Sequence, residues 1–195
     1  IAAIATARGL GGIGIIRVSG EKSLPILRAM FSRKARPQAE AGSPAARSAA
    51  DGAPRFEPRR LEFGWALDAD GAALDEVLAV YMPGPRTFSG EDIVEIHCHG
   101  GRAVLDAVLE SALRRGARLA EPGEFTRRAF LNGRLDLSQA EAVAEMIAAP
   151  SLEGVYLARN KLEGRLGQSL REMRAQLDWL RARLYLALDF PEDAE

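Results

Sequence analysis

GEDIVEIHCHGG, residues 90–101, decides how this chain folds. Successive side chains of a strand point to opposite faces. Read that way, Asp92 to His99 puts Glu95, His97 and His99 on one face and Val94, Ile96 and Cys98 on the other. One face suits a core; the other carries a carboxylate and two imidazoles. The strand runs into Gly100-Gly101 and then a predicted helix over 102–115 (AVLDAVLESALRR at its heart), ended by Gly116. ARLAEP (117–122) reads as a short strand completing a β–α–β unit, expected to be right-handed. Ligands in such folds sit at the C-terminal ends of strands.

Upstream, LEFGWALD (61–68) and LDEVLAVYM (74–82) flank DADGAA, a hairpin signal, and PGPRTFSGED (83–92) is a loop. IAAIAT (1–6) and GIGIIRVSG (12–20) are strand-like around a glycine-rich turn. Ser23 as cap and Pro25 in the first turn open a short helix, LPILRAMF. Residues 34–59 are rich in Ala, Pro, Gly and Ser, lack periodicity and are expected to be disordered.

From residue 123 the pattern is helical. EFTRRAFL is a short helix stopped by Asn132-Gly133, and Ser138-Gln-Ala-Glu141 reads as a capping box. Pro150 ends that helix and Ser151 caps the next, predicted to run unbroken over 151–189. Its apolar positions Leu162, Leu166, Leu170, Met173, Leu177, Leu180, Leu184 and Leu188 form a bundle-like seam. The chain supplies too few other helices to cover it, so a second copy or further sequence is expected there.

The 195 residues are 47% hydrophobic, enough for a real core, and the net charge of −1 excludes the global basic field of a nucleic-acid binder. The basic residues are 23 Arg and 3 Lys, a compositional bias. The single cysteine, Cys98, excludes an intrachain disulfide and fits a reducing, cytoplasmic setting. No apolar run reaches membrane-spanning length and no signal peptide is visible. The start at Ile1, without Met, predicts an incomplete N-terminus.

Three readings of the Glu95/His97/His99 face stay open on the residues alone. It is an acceptable ligand set for zinc or iron, although no fourth ligand stands out. The histidines also fit a purely structural role, and Glu95 fits an organic ligand. Cys98 faces the apolar side and reads as a small buried hydrophobe. RGLGGIG (8–14) leads into another strand, not a helix, so it reads as a tight turn and not a phosphate loop. No GxxxxGK[ST] occurs in the chain.

GGIGIIRVSG (11–20), PGPRTFSGEDIVEIHCHGG (83–101), EPGEFTRRAFLNGRLDLSQAEAVAEMI (121–147) and LDFPEDAE (188–195) occur in this order. Together they resemble the tRNA modification GTPases, the MnmE or TrmE family. The resemblance covers nearly the whole chain except 34–59 and implies an α+β fold. Residues 1–120 would be a mixed-sheet, folate-binding, homodimerising domain similar to the folate domains of glycine-cleavage T proteins. Residues 121–195 would be the first part of a helical bundle, stopping where the family's G domain is inserted. GTP, potassium and magnesium would then belong to that missing G domain. The resemblance further implies a tetrahydrofolate derivative (5-formyl- or 5,10-methylene-) as cofactor, the flavin protein MnmG (GidA) and tRNA as partners, and no metal site in this chain. Glu95 would hold the pterin edge, and Arg17 and Arg134 would be the basic contacts; no catalytic residue is implied. One carboxylate can accept the amino group and ring N–H that a reduced pterin presents side by side. Arg suits the carboxylates of the glutamate tail. The alternative is a stand-alone folate-dependent aminomethyltransferase of the glycine-cleavage T type.

Overall fold

In a computed structural model, residues 1–7, 9, 11–34 and 54–189 are described. The strand at the centre of the reading is β6 (Ile93–Gly100), counting β1 (Ala2–Ile4), β2 (Gly11–Ser19), β3 (Phe31–Ser32), β4 (Leu61–Leu67) and β5 (Ala73–Met82) before it. The six form one sheet in the order β1-β2-β6-β5-β4-β3, and every strand pair is antiparallel. The alternation in β6 holds: Val94, Ile96 and Cys98 are buried, whereas Glu95, His97 and His99 lie on the other face. The buried face meets α1 (Ser23–Met30) and α2 (Arg102–Arg114). Ile16, Val18, Val77, Ala79, Val94 and Ile96 pack there against Leu27, Met30, Leu105 and Val108. Leu61, Phe63, Leu78 and Ile13 stand exposed on the opposite face.

The α+β class stands, but the sheet expected to be mixed is antiparallel at every strand pair, and there are local differences. Segment 117–122 is not a strand. It touches β1 through one parallel bridge, Ala2 with Leu119, and two backbone bonds, Ala2 N to Arg118 O and Ala120 N to Ala2 O. Pro122 and the left-handed Gly123 end it there. The cap expected of Ser23 is absent: Ser23 is already the first residue of α1, Lys22 precedes it, and its hydroxyl is buried without a partner among the described residues. Of the segment expected to be disordered, residues 35–53 lie outside the described residues. Its end is ordered, with Phe56 buried edge-to-face on Phe31 at 5.1 Å and Pro58 bridged to Tyr81.

The chain divides into two compact units, Ile1–Asn132 and Gly133–Glu195. The first includes α3 (Glu124–Leu131), which lies beyond the 120/121 boundary drawn from the sequence. Its hydrogen bonds explain why. Arg128 reaches Glu91 at 3.1 Å, and Asn132, just after the helix, donates to Ser89 O at 2.8 Å.

The second unit contains α4 (Leu137–Ala148), α5 (Leu152–Leu162) and α6 (Arg165–Asp189). The capping box of α4 is Asp136 with Gln139, not Ser138 with Glu141. Asp136 accepts the Gln139 N–H and the Ser138 hydroxyl, so the stronger acceptor takes the cap and the helix begins earlier. Ser151 caps α5, accepting the Gly154 N–H at 3.3 Å. The unbroken helix expected over 151–189 is two helices. Gly164, at φ 73°, breaks it, and Gln139 Nε2 donates to the freed Leu162 carbonyl at 2.7 Å. Leu170, Met173, Leu177, Leu180, Leu184 and Leu188 of the seam are exposed. No described helix is long and apolar enough to cross a membrane.

Candidate functional site

The antiparallel register of β2 and β6 sets Arg17 directly opposite Glu95 on the open face. Arg17 Nε and Nη2 both donate to Glu95 Oε1, at 2.9 and 2.6 Å. The side chains are 29% and 17% exposed, so water screens the pair only in part. Glu95 Oε2 faces His97 Nε2 at 3.5 Å, at the outer limit for a hydrogen bond. That nitrogen is buried and has no hydrogen-bond partner among the described residues. The Arg17 guanidinium carbon lies 5.9 Å from the Phe88 ring centroid and 5.8 Å from that of Phe125, within cation–π range of both.

Phe88 comes from the loop after β5, and Phe125 from α3. Both supports are pinned by polar contacts. In the loop, Asp92 accepts from the Gly84 N–H and the Tyr81 hydroxyl, each at 2.8 Å, and Thr87 donates to Glu91 O at 2.6 Å. Fully buried Ser89 shares a 2.7 Å bond with Ser19. Burial first, then the Asp92 bond, pushes the Tyr81 hydroxyl pKa up. In α3, Glu124 accepts from Arg118, the Glu121 amide and Arg128. Arg118 above all, then the Glu121 N–H, holds the Glu124 carboxyl down at about 2. Cys98 sits on the core face, and burial pushes its thiol up to about 11, which suits packing and not nucleophilic attack.

Arg17 and Glu95 are thus brought together, with His97 beside them. His99 turns aside: its Nδ1 lies 2.7 Å from Asp75 Oδ1, and its backbone N–H donates to Asp75 Oδ2 at 2.8 Å. Among the described residues no group of three or more His, Cys, Asp or Glu could hold a metal ion. Arg134 belongs to the second unit, exposed in a bend before α4. Sequence reasoning missed Phe88 and Phe125, and it missed the pairing of Arg17 with Glu95.

A sheet backed by two helices, with a guanidinium–carboxylate pair and two aromatic rings on its open side, defines an α+β unit, here followed by a helical one. Residues 1–134 match the family model described as GTP-binding protein TrmE N-terminus, and residues 137–195 match the MnmE helical domain. The chain belongs to the MnmE (TrmE) family. A protein of Nitratidesulfovibrio vulgaris named tRNA modification GTPase MnmE is 58% identical over 193 residues. Proteins of the same name from Lawsonia intracellularis and Synechococcus sp. (strain JA-3-3Ab) are each 49% identical. In all three cases the alignment covers 99% of this chain and 39% of the relative, so the chain spans about two fifths of the relatives' length.

Proposed function

We propose that this chain is the tetrahydrofolate-binding, homodimerising part of a cytoplasmic tRNA modification GTPase, with the first unit binding folate. The single observation that carries the reading is Glu95. It is a carboxylate on an open sheet face whose Oε2 accepts no hydrogen bond among the described residues. A carboxylate so placed fits the paired N–H edge of a reduced pterin. The orphaned His97 nitrogen and the Phe88 and Phe125 rings are further signs of a site built for a flat, polar-edged ligand. Glu95 would hold the pterin edge, and Arg17 and Arg134 would meet the carboxylates of the glutamate tail. The chemistry supplied by a bound 5-formyl- or 5,10-methylene-tetrahydrofolate is a one-carbon unit, used in building a carboxymethylaminomethyl-type group at C5 of the wobble uridine.

These residues bind and orient; catalysis of the modification would fall to the flavin partner MnmG (GidA) with tRNA bound. GTP hydrolysis, with its potassium and magnesium, would belong to sequence beyond these 195 residues. The exposed Ile13, Leu61, Phe63 and Leu78 on the open face support a second copy as the dimer partner. A stand-alone aminomethyltransferase is not favoured, since matches to proteins named tRNA modification GTPase run the full length of the chain, helical unit included. Calorimetry with 5-formyltetrahydrofolate tests the reading. Binding to the native chain and its loss in Glu95→Ala is the expected result; equal affinity in both sinks the site.

A further inference from the structure

Glu95 has one oxygen fully engaged and one open. A carboxylate oxygen offers two lone pairs. Both on Oε1 are spent on Arg17, through Nε and Nη2. A ligand edge with two adjacent N–H groups needs both oxygens side by side. With Arg17 in place only Oε2 is open, and His97 Nε2 stands 3.5 Å from it. The guanidinium is itself a flat cation close to two aromatic rings, Phe88 and Phe125, and so sits on the faces against which a flat ring would stack.

We propose that Arg17 is a latch and placeholder. It lies over the rings of Phe88 and Phe125 and occupies one of the two Glu95 oxygens. On binding it yields both to the ligand ring and turns to the ligand's tail carboxylate. Phe88 and Phe125 are then the stacking residues, and Arg17 makes binding depend on the tail: a ring without a carboxylate must break the Arg17–Glu95 pair with nothing to replace it. This rests on the folate reading of Glu95 and adds to it a switch between two partners of one arginine. The switch is local, because Arg17, Phe88, Glu95, His97 and Phe125 all belong to the first unit.

The test compares two ligands on the full chain: 5-formyltetrahydrofolate, which has the tail, and 6-methyltetrahydropterin, which lacks it. The variants are Arg17→Ala and Arg17→Met, the latter keeping the hydrocarbon stem on the rings if the former fails to fold. The latch predicts that removing the guanidinium tightens the tail-free pterin by about fivefold, the upper end for a solvent-accessible ion pair, while weakening the tailed folate. Phe88→Ala and Phe125→Ala should weaken both ligands. Unchanged or weaker tail-free binding in both Arg17 variants, with Glu95→Gln still abolishing it, overturns the latch and leaves the folate site standing. Unchanged binding of both ligands in Glu95→Gln overturns the folate site and the latch together.

Discussion

Replacing Glu124 by Gln should loosen α3 from the sheet unit, and the structure sets the size of the effect. Glu124 is 6% exposed and accepts five N–H groups: two from Arg118, two from Arg128 and the Glu121 amide. Removing one partner of a fully buried ion pair costs about 3–5 kcal/mol. Here Arg118 is 57% exposed and can hydrate, and Arg128 keeps Glu91, so the loss should be smaller, about 2 kcal/mol. The amide also turns an NH2 toward groups that are all donors. Urea unfolding followed by the fluorescence of half-buried Trp65, in a Trp179→Phe background, reports on the first unit alone. The effect has a pH signature. A carboxyl whose pKa is lowered on folding stabilises above its unfolded value and loses that contribution as pH falls through its folded value. For Glu124 the window runs from 4.5 down to about 2. The gap between native chain and variant should be full at about pH 6 and shrink to about a quarter of that by about pH 2.5. A loss under about 0.5 kcal/mol, or one as large in acid as near neutrality, would refute the assignment of Glu124 as the anchor of α3.

Cys98, buried and with its thiol pushed up to about 11, should resist thiol reagents in the folded chain and react fully in denaturant; rapid labelling of the native chain would contradict its place in the core. Asp136→Ala removes the capping box of α4 and should cost about 1 kcal/mol, read as a lower melting point of the helical signal, whereas Ser138→Ala should cost less. Phe63→Asp together with Leu78→Asp places charge on the open face; light scattering should show a homodimer become a monomer, and an unchanged mass would move the interface elsewhere.

The parts of the fold that were legible in the sequence are those set by local periodicity. Alternation in β6 separated core from open face, and the 61–82 hairpin followed from two strand patterns around a turn. The break at Gly164 was hidden because the apolar stripe continues across it, and the stripe dominates the signal of one glycine. The capping box was displaced because Ser138 and Asp136 both fit a cap, and only the relative acceptor strength of the carboxylate decides between them. Half of the candidate site was legible through Glu95, whose face was readable from parity. The Arg17 contact was not, since it depends on the register of two strands 78 residues apart. Phe88 and Phe125 were hidden for the same reason: they belong to a loop and a helix, held by polar contacts at Ser89 and Glu124, that meet Arg17 only in the tertiary structure.

The proposed role of Glu95 as the acceptor of a pterin edge can be seen outright in a crystal structure of the chain with 5-formyltetrahydrofolate. The expected result is the amino-bearing edge of the ring within hydrogen-bond distance of both Glu95 oxygens, the ring against Phe88 and Phe125, and Arg17 withdrawn from Oε1. A ring bound away from Glu95, or one paired with Oε2 alone while Arg17 stays in place, would contradict it.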